Sequence, residues 1–439
     1  MFFFEKKNQK TFICLAFHCR GGDGGSLGKS LLFRKDGASL PPRQHGRRAP
    51  ICGAMPEPIA LYVHWPFCLA KCPYCDFNSH VRERVDAARY GAALRRELAH
   101  EAERLGEKRP LASIFFGGGT PSLMPPEVVA DVIAEARRLF EPLPDIEITL
   151  EANPTSVEIA KLAALREAGV NRASLGIQSL QDKALGFLGR QHDAKQAVAA
   201  LEAARALFPR ISFDLIYARP GQGLEEWRAE LRQALALAAD HLSLYQLTIE
   251  PGTRFATEYA RGAFALPEGE EAAALYYATG EEAGRFGLLP YEVSNYARPG
   301  AESRHNLAYW RYGDYLGIGA GAHQRVTRDG TVVAARRHRA PEEWLSRVEA
   351  EGHAVTREEH LAPLDRAREA LLMGLRLSEG VSPARLQART GLTLAEAVDP
   401  AMLTACLEED YLRWTPEGNL ATTWEGRLRL DALLPVLLR

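Results

Sequence analysis

The chain has 439 residues, 46% hydrophobic and 25% charged, with a formal net charge of -2. That apolar fraction is enough to bury a sizeable core without disulfides, and the length sets a prior of two or three domains, so disorder as the dominant state is excluded. No run of eighteen apolar residues occurs and the charge is near neutral, which argues against a spanning helix and against life on a polyanion. The expectation is a soluble globular protein with no nucleic-acid partner and no stable membrane insertion.

Residues 1–54 differ from the rest. They hold ten Lys/Arg against three Asp/Glu, so they carry +7 and leave -9 on residues 55–439. They are Gly-rich and show no sustained helical or strand period. Three readings stand: an upstream extension with Met55 as the natural start in place of Met1, a basic, acid-poor targeting segment, or a disordered tail. The stretch GGDGGSLGKS has Asp23 where a phosphate loop needs its first glycine, and no strand precedes it, so it is read as chance.

From Ile59 onward, short β-rich runs alternate with amphipathic stretches. Strands are predicted at 60–65, 112–116, 146–151, 172–178, 211–217 and 241–249, with helical patterns over 126–140, 155–168 and 193–207. Six consecutive βα units imply a parallel sheet, doubly wound or curled into a barrel. The GIGAGA run at 317–322 lacks the acidic residue that a dinucleotide fingerprint needs and reads as a tight turn. After about residue 360 the order becomes helix, short helix, helix, strand, helix, which suggests a small winged-helix-like domain. Asp399-Pro400 is a good helix start, and Leu403, Cys406, Leu407 and Tyr411 form one apolar face. Residues 361–439 hold nine basic and eleven acidic side chains, so DNA binding has no electrostatic support and a packing or lid role is expected.

Three of the seven cysteines, Cys68, Cys72 and Cys75, fall within eight residues on the loop after the first predicted strand. An odd total with one tight cluster reads as a metal site in a reducing compartment, with the cytoplasm as the expected address. A structural zinc would need a fourth ligand, for which His64 and His80 are nearest. An iron-sulfur cluster usually takes four thiolates, so three leave one iron open.

The spacing C-x3-C-x2-C with Tyr74 before the last cysteine resembles the signature of radical S-adenosylmethionine (SAM) proteins. The segments LYVHWPFCLAKCPYCDFNSH, GGGTPSLM, NRASLGIQSLQ, LGRQH, FDLIYARPGQ, SLYQLTIEPGTRF and YEVSNYARPGAESRHNLAYW occur in the order found in one branch of these proteins. That branch holds oxygen-independent coproporphyrinogen III oxidase and the heme chaperone HemW, and the match runs from about residue 58 to the C-terminus. The resemblance implies an α/β fold: a partial (βα)6 radical-SAM barrel over 55–290, a connecting region with an HNxxYW segment over 291–360, and the winged-helix-like domain over 361–439. It also implies a 4Fe-4S cluster on Cys68, Cys72 and Cys75, with SAM chelating the fourth iron.

Carried over position by position, the family pattern makes Tyr62, Tyr74, Gly118, Gly119, Thr120, Glu151, Gln178, Arg190 and Asp214 SAM contacts. The location agrees, since parallel barrels place ligands at the C-terminal strand ends, where these residues cluster. The glycines would let a backbone edge approach a ligand, and Arg190 would offer a guanidinium fork to the SAM carboxylate. The pattern departs at Ala218-Arg219, where the family commonly has Gly-Leu. Two features point to the HemW side of the branch: Phe77 stands where the oxidase has a further cysteine, and His305-Asn306-Leu-Ala-Tyr309-Trp310 matches the HNxxYW motif associated with heme. Imidazole is a natural axial ligand for heme iron, and Tyr309 and Trp310 supply flat apolar contact. Ser303 stands where relatives often have cysteine. The function implied is delivery of heme to acceptor hemoproteins, with an electron donor required if SAM is cleaved. The alternative is an oxidase of porphyrin biosynthesis acting by radical SAM chemistry.

Overall fold

The computed structural model describes residues 57–439, so the basic extension 1–54 and Met55 lie outside the described residues. In chain order the strands are β1 (Ile59–Trp65), β2 (Phe67–Cys68), β3 (His80–Val81), β4 (Pro110–Gly118), β5 (Glu141–Ala152), β6 (Arg172–Gln178), β7 (Arg210–Tyr217) and β8 (His241–Gln246). They continue with β9 (Leu289–Pro290), β10 (Asn295–Ala297), β11 (Tyr315–Ile318), β12 (His323–Arg328), β13 (Thr331–Arg337), β14 (Val355–His360), β15 (Leu412–Trp414) and β16 (Leu420–Thr422). Twelve of these form one sheet in the order β14-β13-β12-β11-β1-β4-β5-β6-β7-β8-β10-β9. The six predicted strands are β1 and β4 to β8, paired in parallel as βα units require. Edges remain at β14 and β9, so the barrel is partial.

The sheet is larger than the sequence suggested. β11, which begins the run read as a tight turn, pairs in parallel with β1 and makes a seventh parallel strand. Residues 291–360, expected to connect two domains, add β10 to one end of the sheet and β11 to β14 to the other. The glycines of GIGAGA answer to close packing. A Cβ on Gly317 would lie 2.0 Å from the His323 carbonyl oxygen, and one on Gly319 would lie 2.3 Å from that of His64.

Every residue of β1 is buried, as a central parallel strand covered on both faces must be. The helix Ala194–Leu207 opens with a capping box between Asp193 and Gln196. The helix expected over 155–168 breaks into Ser156–Ile159 and Leu162–Glu167. Its first turn buries Glu158, whose carboxylate accepts from Asn153 N at 2.7 Å and Thr155 Oγ1 at 3.1 Å.

The C-terminal region is built from helices Pro363–Gly374, Pro383–Thr390 and Pro400–Glu408, the β15–β16 hairpin and helix Leu430–Leu437. Its core includes Leu371, Leu386, Cys406, Leu430 and Leu437. Asp399 caps its helix by accepting from Ala401 N and Met402 N. Among the described residues no helix is long and apolar enough to cross a membrane.

Candidate functional site

The strand ends, the cysteine loop and the helix Arg304–Trp310 enclose a cavity of about 490 Å³. It is lined by Cys68, Cys72 and Cys75, by Tyr62, Tyr74, Gly118, Gly119, Thr120, Glu151, Gln178, Arg190 and Asp214, and by His305, Asn306, Tyr309 and Trp310. Residues more than two hundred positions apart in the chain thus share one chamber.

The cysteine loop is fixed from both sides. Gly119 N donates to Trp65 O at 2.7 Å and Thr120 N to Phe67 O at 2.9 Å, which lays the end of β4 along the start of the loop. A Cβ on Gly118 would lie 2.6 Å from His64 Cε1, and one on Gly119 would lie 2.7 Å from Phe67 O and 3.0 Å from Cys68 Sγ. The glycines therefore answer first to the protein's own close packing, against the His64 ring and the Phe67 backbone. Thr120 Oγ1 stands 3.4 Å from Cys68 Sγ, and Arg190 Nη1 3.3 Å from Cys72 Sγ. In the free loop, burial pushes the Cys75 thiol up to about 11.

Neither histidine near the loop acts as a fourth ligand. His64 Nε2 lies 3.0 Å from Asn78 O and its Nδ1 2.9 Å from Tyr62 OH, while His80 Nε2 lies 3.3 Å from Asn78 Oδ1. No three His, Cys, Asp or Glu side chains among the described residues converge on a single-ion site.

Beyond the loop, the inner face of each strand is polar with a period of two: Thr149 and Glu151 on β5, Arg172, Ser174 and Gln178 on β6, Ser212 and Asp214 on β7, and His241, Ser243 and Tyr245 on β8. Burial, reinforced by the Asp214 charge, pushes Glu151 up to about 7, and its carboxylate accepts from Gly118 N at 3.2 Å. Burial likewise raises Asp214 to about 6. Gln178 ends β6 at φ 68°, and its buried Oε1 has no protein partner. Arg190 Nη2 donates to Gly176 O at 2.8 Å and to Asn153 Oδ1. Ala218 adopts φ 54° without being glycine, and Arg219 turns inward to pair with Glu230 and to donate to Ser179 Oγ at 2.8 Å. The Gly-Leu departure is thus accommodated by strain at one residue and a buried ion pair at the next.

His305 is 1% exposed. It lies on the short helix capped by Ser303, whose hydroxyl accepts from Asn306 N at 3.3 Å. Its ring stacks on Phe115 at 4.8 Å and meets Tyr309 edge-on at 5.0 Å. Nδ1 lies 3.0 Å from Ser113 Oγ, and Nε2 has no protein partner. Burial lowers its pKa to about 3, so the imidazole is neutral, and the tautomer that donates from Nδ1 leaves a lone pair on Nε2.

Sequence reasoning missed Glu147, which positions this helix. Its Oε1 accepts from Ser303 Oγ and His305 N, both at 3.2 Å, and its Oε2 from Arg172 Nη1 at 3.0 Å. The alternation in IEITLE carried the signal, since it puts Glu147, Thr149 and Glu151 on one face. Asn153, Met373 and Arg376 also line the cavity and had no motif to mark them.

The profile of the radical SAM superfamily matches residues 62–234, and that of the HemN C-terminal domain matches residues 361–429. The chain is 36% identical to the heme chaperone HemW of Haemophilus influenzae, covering 87% of this chain and 98% of that protein. The chain belongs to the HemW-type family of radical SAM proteins. A mitochondrial relative in this group, radical S-adenosyl methionine domain-containing protein 1 of Bos taurus, is 41% identical over 402 residues, 90% of each chain. Coproporphyrinogen III oxidase (HemN) of Escherichia coli, a solved structure, superposes with a TM-score of 0.70 at 25% identity, covering 86% of this chain and 89% of its own. Membership in the superfamily brings with it a 4Fe-4S cluster and SAM. The residues here fit both groups: three thiols on one loop, a guanidinium beside them, and an unpartnered amide oxygen at Gln178.

Proposed function

We propose that this protein is a heme chaperone that binds heme in the barrel cavity and passes it to acceptor hemoproteins. Cys68, Cys72 and Cys75 hold the 4Fe-4S cluster in this reading. When bound, the cluster and SAM supply one-electron chemistry. Arg190 presents its guanidinium to the SAM carboxylate, Glu151 and Asp214 offer acceptors to SAM hydroxyls and amine, Tyr62, Gly118, Gly119, Thr120 and Gln178 line its berth, and Tyr74 closes the apolar side against Phe255. Heme is the cargo. His305 offers Nε2 to its iron, Asn306 is held by Tyr291 OH at 3.2 Å, and Tyr309 and Trp310 offer ring surface. The cytoplasm is the proposed compartment.

The observation that carries the cargo assignment is His305 Nε2: a neutral, buried donor atom with no protein partner in the same chamber as the cysteine loop. Phe77, at the position of the oxidase's further cysteine, weighs against the oxidase. The test is anaerobic heme titration of wild type, His305→Ala and His305→Gln. The expected result is a shifted Soret band and weaker heme binding in both variants, with cluster iron and SAM binding retained. Wild-type spectrum and affinity in both would remove His305 as the ligand.

A further inference from the structure

The helix that carries His305, Arg304–Trp310, has seven residues and is too short to hold its own place, because so short a helix is unstable in water by itself. One anchor is Glu147 Oε1 on β5, which accepts from Ser303 Oγ and His305 N. A second comes from β8. Asn306 Nδ2 donates to Tyr291 OH at 3.2 Å, and the same hydroxyl lies 3.0 Å from Nε2 of His241, the residue that opens β8. Tyr291 and His241 are 9% and 2% exposed. The backbone of Tyr291 is tied on both sides, since its N donates to Asn295 O at 3.1 Å and its O accepts from Ser378 N of the C-terminal region at 2.9 Å. His241 and Asn306 line the cavity, whereas Tyr291 stands behind the lining.

The direction of these bonds follows from the donors present. The amide nitrogen of Asn306 gives a hydrogen and cannot take one, so the Tyr291 hydroxyl donates to His241 Nε2, and His241 carries its own hydrogen on Nδ1. Burial, with the Arg172 and Arg210 charges, holds the His241 pKa well below the usual histidine value, so its ring stays an acceptor at neutral pH. We propose that His241 and Tyr291 are positioning residues for the heme ligand and that Asn306 anchors its helix instead of touching the porphyrin, an inference that rests on the heme reading. Successive helical residues project about 100° apart around the axis. Glu147 holds the start of the helix, and a second anchor on the side chain next to His305 fixes how the helix is rotated. With that rotation set and His305 Nδ1 held 3.0 Å from Ser113 Oγ, Nε2 has one direction in the chamber.

The experiment measures heme affinity and the iron–imidazole stretch of ferrous heme in the cluster-loaded full chain, with SAM binding and cluster iron measured beside them. Tyr291→Phe removes the hydroxyl and is expected to weaken heme binding about tenfold and to shift the stretch, with SAM binding and cluster iron kept. Two His241 substitutions separate the roles of its nitrogens, because glutamine places an acceptor near the position of Nε2 and asparagine a donor near that of Nδ1. His241→Gln is expected to keep the wild-type affinity and stretch, and His241→Asn to behave like Tyr291→Phe. The reverse pattern, with asparagine competent and glutamine impaired, overturns the proposal by showing that His241 touches the cargo through Nδ1. A parallel loss of heme, SAM and cluster iron in Tyr291→Phe overturns it too, since that marks a general effect on the fold. If Tyr291→Phe does not fold, the two His241 variants carry the test. Wild type that binds heme, with affinity and stretch unchanged in Tyr291→Phe, overturns the proposal alone; wild type that binds no heme overturns the heme reading and the proposal with it.

Discussion

Glu151→Gln separates what the site costs the fold from what it does for the ligand. Burial and the Asp214 charge raise this carboxyl from 4.5 to about 7. Between those values the folded chain holds a proton that the unfolded chain has released, so stability falls as pH rises through the window and levels off above it. At 1.36 kcal/mol per pH unit the loss is about 3 kcal/mol at pH 8. Glutamine carries no such charge and still accepts from Gly118 N. Without SAM, the variant should match wild type near pH 4.5 and exceed its stability by up to about 3 kcal/mol at pH 8. Its SAM affinity at that pH should fall about tenfold, because a charged acceptor has been lost. Urea unfolding midpoints across the pH range and a SAM titration at pH 8 measure both effects. A stability gain independent of pH, or none at pH 8, would refute the reasoning, as would unchanged SAM affinity.

Replacing Cys68, Cys72 and Cys75 together with alanine should abolish iron-dependent visible absorbance in anaerobically purified protein, and retained iron would show that other residues hold it. Glu147→Ala removes the acceptor for Ser303 and His305 and leaves Arg172 buried without its partner, at a cost of about 3–5 kcal/mol. Thermal midpoint and heme affinity should fall together, with Glu147→Gln between alanine and wild type; an unaffected midpoint would contradict that role. Ala218→Gly relieves a left-handed backbone and should stabilise the chain by up to about 1 kcal/mol in urea unfolding, where destabilisation would show that the conformation carries no strain.

How much was legible in the sequence depended on whether a residue acts through a local pattern or across the fold. β6 was located to the residue because RASLGIQ lies between a glycine turn and a new helix, and Asp399-Pro400 marks its helix by capping chemistry alone. The cysteine loop was visible from spacing. His305 could be named only through the HNxxYW motif, because an isolated histidine says nothing about burial or about which ring nitrogen is occupied. β11 was hidden because a glycine run reads as a turn when one backbone it must clear, that of His64 against Gly319, lies far away in the chain. Arg376 and Met373 were invisible for the same reason: their place in the cavity is set by docking of the C-terminal helices onto the barrel. The inner-face alternation of β5 to β8 was open to reading, and pursuing it through IEITLE would have exposed Glu147.

The most direct test of the account is a paired assay on anaerobically reconstituted protein, with heme titration and transfer to an apo-hemoprotein beside coproporphyrinogen turnover in the presence of SAM and reductant. The account predicts saturable heme binding and transfer, both weakened in His305→Ala, and no turnover. Turnover without heme binding would contradict it and would make the chain an oxidase.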